Sequence, residues 1–176
     1  MCDVYTWIYP SGIGCKSVMD AIKNHTVPQN GPVSDPQILK LIQECTKAKE
    51  FAYSPYSKFR VGAALLTHDD LIFNGCNVEN ASYGLSICAE RTAIVKAVSC
   101  GSTKFKAIAV TTDMKEHVTP CGACRQFIAE FGLDIVIYLV SKDSNYHTTT
   151  AGDLLPLAFT PQDLERHAMQ TSKNNS

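Results

Sequence analysis

Apolar residues recur at Ile38, Leu41, Ile42, Cys45, Ala48 and Ala52, the three-and-four spacing that gives a helix one buried face. Ser34-Asp35-Pro36-Gln37 reads as the start of that helix, with Ser34 as cap and Gln37 reaching back in a capping box, and Pro55 reads as its stop. The period then changes. Val61 to Thr67 is apolar on both alternating faces, as in a strand covered on both sides, and Leu71 to Cys76 follows a His68-Asp69-Asp70 turn, which predicts a hairpin. Ala89 to Ser99 predicts a helix stopping at Gly101, Lys106 to Thr112 a strand, Cys121 to Phe131 a second helix ending at Gly132, and Ile135 to Val140 another strand. Strand-helix-strand-helix-strand implies parallel pairing with helices covering the sheet. Past Ser141 the pattern weakens to an edge strand around His147 to Thr150, then Leu154-Leu155-Pro156, and a short capped helix from Thr160-Pro161-Gln162-Asp163.

The two ends lack such periods. Residues 1–33 scatter Tyr5, Trp7 and Tyr9 among Pro10, Gly12, Gly14, Pro28, Gly31 and Pro32, which predicts an extension that is partly disordered or loosely packed. A partner-binding or targeting arm is the rival reading of that stretch. Residues 34–168 form the expected catalytic domain, and 169–176 a disordered tail.

Composition narrows the picture. A chain of 176 residues, 45% hydrophobic, holds one domain with a proper core and not two comfortable ones. Net charge is -1 with lysine and arginine scattered, so no basic stripe announces nucleic acid and a small substrate is favoured. No apolar run approaches a membrane span, and the first residues do not read as a leader, so the expectation is a soluble, cytoplasmic protein without a membrane partner. Eight cysteines in a reducing compartment point to metal ligands and unpaired thiols rather than disulfides.

Two short runs carry the candidate chemistry: Ser86-Ile87-Cys88-Ala89-Glu90-Arg91 and Thr119-Pro120-Cys121-Gly122-Ala123-Cys124-Arg125. The first offers a thiol and a carboxylate, the second two thiols at a spacing one metal ion can clasp. Residues two apart on a helix normally diverge, but first-turn side chains tilt toward the N-terminus and converge beyond the axis. That end also carries unpaired N–H groups and positive potential, which favour thiolate over thiol. Zinc suits three thiolates, and three protein ligands leave one position open, the catalytic arrangement. A fourth ligand from Cys2, Cys15, Cys45, Cys76, Cys100 or a histidine would instead close a structural clip.

From about Asp35 to Asp163 the sequence resembles the small, nucleoside-acting cytidine deaminases. The likeness rests on Tyr56-Ser57-Lys58-Phe59-Arg60-Val61-Gly62-Ala63, Asn77-Val78-Glu79-Asn80-Ala81, Ile87-Cys88-Ala89-Glu90-Arg91 and Pro120-Cys121-Gly122-Ala123-Cys124-Arg125-Gln126, in that order. The resemblance implies an α/β fold, a three-layer αβα sandwich around a mixed, roughly five-stranded sheet. It implies one Zn2+ per subunit on Cys88, Cys121 and Cys124, with Glu90 as proton shuttle and Arg91 hydrogen-bonded to ligand sulfurs. It further implies Asn77 and Glu79 on the ribose 3′-hydroxyl, Phe59 stacked on the base, the Ala89 N–H on the base carbonyl and the Thr119 carbonyl on the departing amine. Tyr83 and Phe159 match positions that similar enzymes donate into a neighbour's site, which implies a homotetramer. The activity so implied is hydrolytic deamination of cytidine and deoxycytidine in pyrimidine salvage. The alternatives are another cytosine-containing substrate, such as single-stranded nucleic acid or a nucleoside analogue, and a non-catalytic zinc module. Arg60 departs from the pattern, standing where some relatives carry proline.

Overall fold

A computed structural model of the chain describes residues 35–174; the expected N-terminal extension lies outside them. Helix α1 (Pro36–Lys49) is capped by Asp35, not Ser34: the Asp35 carboxylate accepts from Gln37 N at 2.8 Å, and Pro36 takes the first helical position, where its missing N–H costs nothing. The helix also ends before Pro55. Beyond Lys49 the amides of Glu50, Phe51 and Ala52 bond three residues back in a tightened turn, and Tyr53 N is taken by Asn77 O.

β1 (Val61–Thr67) and β2 (Ile72–Cys76) form the expected antiparallel hairpin, turned through Asp70 at φ 63°. A 3-10 turn (Tyr83–Leu85) precedes α2 (Ala89–Ser99). β3 (Phe105–Thr112), α3 (Gly122–Ala129), β4 (Val136–Val140), β5 (Tyr146–Thr150), α4 (Ala151–Leu154) and α5 (Pro161–Asn174) complete the order.

The sheet runs β2-β1-β3-β4-β5. Here the expected parallel pairing holds only for β3 and β4; β1 lies antiparallel between β2 and β3, so the α2 crossover joins two strands that are parallel but not adjacent. Alternation along β1 explains the apolar run on both its faces. Ala63 and Leu65 pack with α2 and α3 residues such as Ala93, Ile94 and Ile128, while Ala64 and Leu66 pack with Leu41, Ile42 and Cys45 of α1. The result is a three-layer αβα sandwich with a core on each face of a mixed sheet.

Both inner helices approach the hairpin closely. A Cβ on Gly62 would lie 2.2 Å from Cys45 O and 2.5 Å from Lys49 N; one on Gly75 would lie 2.5 Å from Ala93 N. Glycine at these positions lets α1 and α2 settle onto the strands. At the other end α5 runs through the stretch expected to be a disordered tail. Thr171 and Ser172 hydroxyls bond back to carbonyls of 167–169, spending on the helix the hydrogen-bonding capacity that polarity had assigned to solvent.

Candidate active site

The site is assembled where two helices begin. Beyond β2 the chain continues through Val78, which is bridged to Ile87 by a pair of backbone bonds of 2.9 Å and flanked on its other side by Tyr53. That bridge delivers Cys88 as the cap residue of α2, while the loop after β3 delivers Cys121 as the cap of α3. Neither cysteine caps its helix with its side chain, so both sulfurs are available to each other. Cys124, in the first turn of α3, is fully buried beneath them. All three Sγ atoms lie within 4.8 Å of one another, and Cys88 and Cys121 are 3.8 Å apart.

A tetrahedral zinc with Zn–S bonds of about 2.3 Å holds its sulfurs about 3.8 Å apart, so the donors fit that ion in spacing as well as softness. Among the described residues this is the one group of three or more donors so placed, and none of Cys45, Cys76, Cys100 or a histidine closes it.

The electrostatics are prepared for ligation. Cys88 is lowered to about 5, first by the Cys124 thiol donating to it and then, against partial burial, by Arg91 and Cys121. Cys124 is correspondingly pushed up, by that same bond, by burial and by the charge of Glu90. Cys88 thus offers a ready thiolate, and a bound cation would displace the thiol protons that remain. Arg91 Nη2 lies 3.5 Å from Cys88 Sγ and 3.4 Å from Ser86 O, while its Nε is buried with no partner among the described residues. Glu90, only 4% exposed on the second residue of α2, has its pKa raised by burial, with the Cys88 charge adding to the effect.

A cavity of about 670 Å³ opens over these groups. Its walls include Phe59, Asn77, Glu79, Tyr83, Cys88, Glu90, Thr119 and Cys121 and, among the described residues, no lysine, arginine or histidine. Asn77 spans the entry to β1, accepting from Val61 N at 2.9 Å and donating to Phe59 O at 2.8 Å; an amide so engaged keeps one N–H and one lone pair for a ligand. Glu79 accepts from Tyr56 N, Ser57 N and Ser57 Oγ, which hold its pKa down. Thr119 is fixed by Arg125, whose guanidinium donates to Thr119 Oγ1 at 2.8 Å and to Pro120 O at 2.7 Å. Ala89 is buried at the start of α2. Tyr83 lies at the rim, 74% exposed, with its ring 5.8 Å from that of Tyr56.

Phe159 is the exception. It is 59% exposed and does not line this cavity; its carbonyl accepts from Gln126 Nε2 at 2.7 Å. Sequence reasoning also passed over Ser57, whose hydroxyl joins Glu79 to Phe59 N, and Asp113, which gathers Arg60 and Lys49. Ser57 sat within a quoted motif, but nothing in its spacing distinguished it from an ordinary turn serine.

Three thiols at paired helix starts, one buried, one half-buried and one exposed, with an enclosed carboxylate beside them and a cavity open to one side, define a zinc-dependent hydrolase of the αβα deaminase class. Residues 36–140 match the family model described as the cytidine and deoxycytidylate deaminase zinc-binding region, and the chain belongs to that family. It is 53% identical over 132 residues to a protein named cytidine deaminase from Sporosarcina psychrophila, covering 74% of this chain and 97% of that one. A probable cytidine deaminase of Dictyostelium discoideum is 48% identical over 138 residues, covering 78% and 93%. The crystal structure of cytidine deaminase from Burkholderia pseudomallei superposes with a TM-score of 0.67 at 49% identity, covering 69% of this chain and 98% of that one.

Proposed function

We propose that the chain is a cytidine deaminase, converting cytidine and deoxycytidine with water to uridine or deoxyuridine and ammonia, as a cytoplasmic enzyme of pyrimidine salvage. The observation that carries this reading is the sulfur trio beside buried Glu90 in a cavity with no cationic wall. Cys88, Cys121 and Cys124 would hold zinc, which when bound supplies the Lewis acidity that makes water a nucleophile at neutral pH. Glu90 takes the proton that the attacking water gives up, passes it to N3 of the cytosine ring as C4 becomes tetrahedral, and then carries the proton of the new C4 hydroxyl to the amine as the C4–N bond breaks and the carbonyl forms. Burial raises its pKa, which helps the carboxyl hold a proton between the two transfers.

The rest of the cavity would orient the nucleoside. Phe59 offers a ring face to the base, the Ala89 N–H a donor to its carbonyl, and the Thr119 carbonyl an acceptor for the leaving ammonia. Asn77 and Glu79 retain capacity for the ribose 3′-hydroxyl. A neutral amide beside a carboxylate, with no lysine or arginine among the described wall residues, suits a neutral nucleoside and disfavours phosphate. Arg91 offsets the surplus negative charge of three thiolates on a dication. Tyr83 and Phe159, both exposed in the single chain, would complete neighbouring sites in a homotetramer.

The test incubates zinc-loaded protein with cytidine, cytidine monophosphate and single-stranded DNA and follows the ultraviolet change. Turnover of cytidine, with the monophosphate and the polymer left intact, is expected; activity on the polymer alone would overturn the reading.

A further inference from the structure

Arg60 stands between two residues that line the cavity, Phe59 and Val61, yet its own side chain is outside the lining. Its guanidinium forks onto Asp113, with Nε and Nη2 at 2.8 and 2.9 Å from the two carboxylate oxygens, and Nη1 reaches Glu50 at 2.8 Å. Lys49, 6% exposed, adds 3.0 Å to Asp113 and 3.2 Å to the Thr112 carbonyl. These two cations and two anions tie together the end of α1, the entry to β1 and the exit of β3. Thr112 and Val110, on that same strand, line the cavity together with Phe59.

The segment so anchored does not hold itself in place. Residues 58–60 belong to no helix or strand, Lys58 sits at φ 57°, and the Phe59 ring is 39% exposed rather than locked in a core. Its position is set by tethers on its backbone. Asn77 grips Phe59 O and Val61 N from one side, Ser57 Oγ takes Phe59 N, and the Arg60 fork is the side-chain tether to the exit of β3, one residue before the ladder pairing of Val61 with Thr112. A planar fork on a carboxylate fixes orientation as well as distance, which a lysine ammonium would not.

We propose that Arg60 is a positioning residue, which through Asp113 fixes Phe59 against the exit of β3 and so sets the affinity for the substrate's ring without touching it. The inference rests on the functional reading above, in which Phe59 faces the base. Arg60→Ala, Arg60→Lys, Asp113→Ala and the Arg60→Ala/Asp113→Ala double variant are compared in the full zinc-loaded chain. The readouts are kcat and KM for cytidine, the Kd of uridine, and amide hydrogen exchange across residues 56–61.

The expected result for Arg60→Ala is a rise of about five- to tenfold in both KM and uridine Kd, kcat within about twofold, and faster exchange at Ser57 and Phe59. Arg60→Lys should recover only part of the affinity, and the double variant should be no worse than the poorer single. A folded Arg60→Ala with unchanged KM, beside an active unaltered chain, would overturn the proposal, as would a kcat that falls as far as KM rises. If the unaltered chain leaves cytidine intact while Arg60→Ala still frees the 56–61 amides and weakens uridine, the tether stands and the deaminase reading falls.

Discussion

Replacing Glu90 by glutamine keeps the shape of the side chain and removes its capacity to carry a proton. The structure fixes how much should be lost. Loss of a positioned acid–base group costs about 10²- to 10⁴-fold in rate, the lower figure applying where a neighbour can substitute. No neighbour can do so here. Among the described residues no lysine, arginine or histidine lines the cavity, and its other carboxylate, Glu79, is bound by Tyr56 N, Ser57 N and the Ser57 hydroxyl. The expected fall in kcat is therefore about 10³- to 10⁴-fold, or about 4–5 kcal/mol of transition-state stabilisation. Folding should not suffer. A carboxyl whose folded pKa is raised works against the fold as pH climbs past its unfolded value, so a neutral amide should hold or raise the melting temperature at pH 7. Zinc content should also be unchanged, because Glu90 is not a member of the three-cysteine cluster that can hold the ion. Cytidine turnover by ultraviolet absorbance, zinc by elemental analysis and a thermal melt together make the test. A Glu90→Gln protein retaining more than about a tenth of wild-type kcat would refute the reasoning.

The remaining perturbations probe the scaffold. Cys124→Ala should drop zinc from one per chain to near zero and lower the melting temperature, since Cys124 is a fully buried member of the trio and metal binding is coupled to folding; undiminished zinc would remove it from the ligand set. Gly62→Ala drives a methyl group to 2.2 Å from a backbone oxygen of α1 and should destabilise by about 1–3 kcal/mol, read as a lower melting temperature; an unshifted melt would contradict the close approach. Asp113 is held down to about 2, chiefly by Arg60 and then by Lys49. Its contribution is complete above the ordinary carboxylate pKa near 4 and is lost as pH falls through that value toward about 2, so Asp113→Asn should flatten the acid limb of a stability profile over that range.

Periodicity made most of the architecture readable, because β1 and the three longer buried helices each carry the pattern of the surface they cover. What it could not convey was how β1 pairs. A strand apolar on both faces reads the same whether its neighbours run with it or against it, and it is the insertion of β1 between β2 and β3 that keeps those two parallel strands from being adjacent. The first helix cap moved by one residue because Ser34 and Asp35 offer the same chemistry, and the Asp35–Gln37 bond decides between them. The end of α5 falls in the stretch whose polar composition reads as a tail; there the Thr171 and Ser172 hydroxyls turn back onto carbonyls of the preceding turn. At the site, the thiols and Glu90 were legible through spacing at two helix starts. The Ser57 and Asp113 tethers were not, since each joins segments more than twenty residues apart.

The nearness of Cys88 and Cys121 has a chemical cost when no cation lies between them. Two sulfurs 3.8 Å apart, one ionised well below neutrality, need only a modest inward movement and an oxidant to bond to each other. Metal occupancy would therefore act as a protecting group, and stripped preparations kept in air should lose thiol titre and the ability to be reconstituted together.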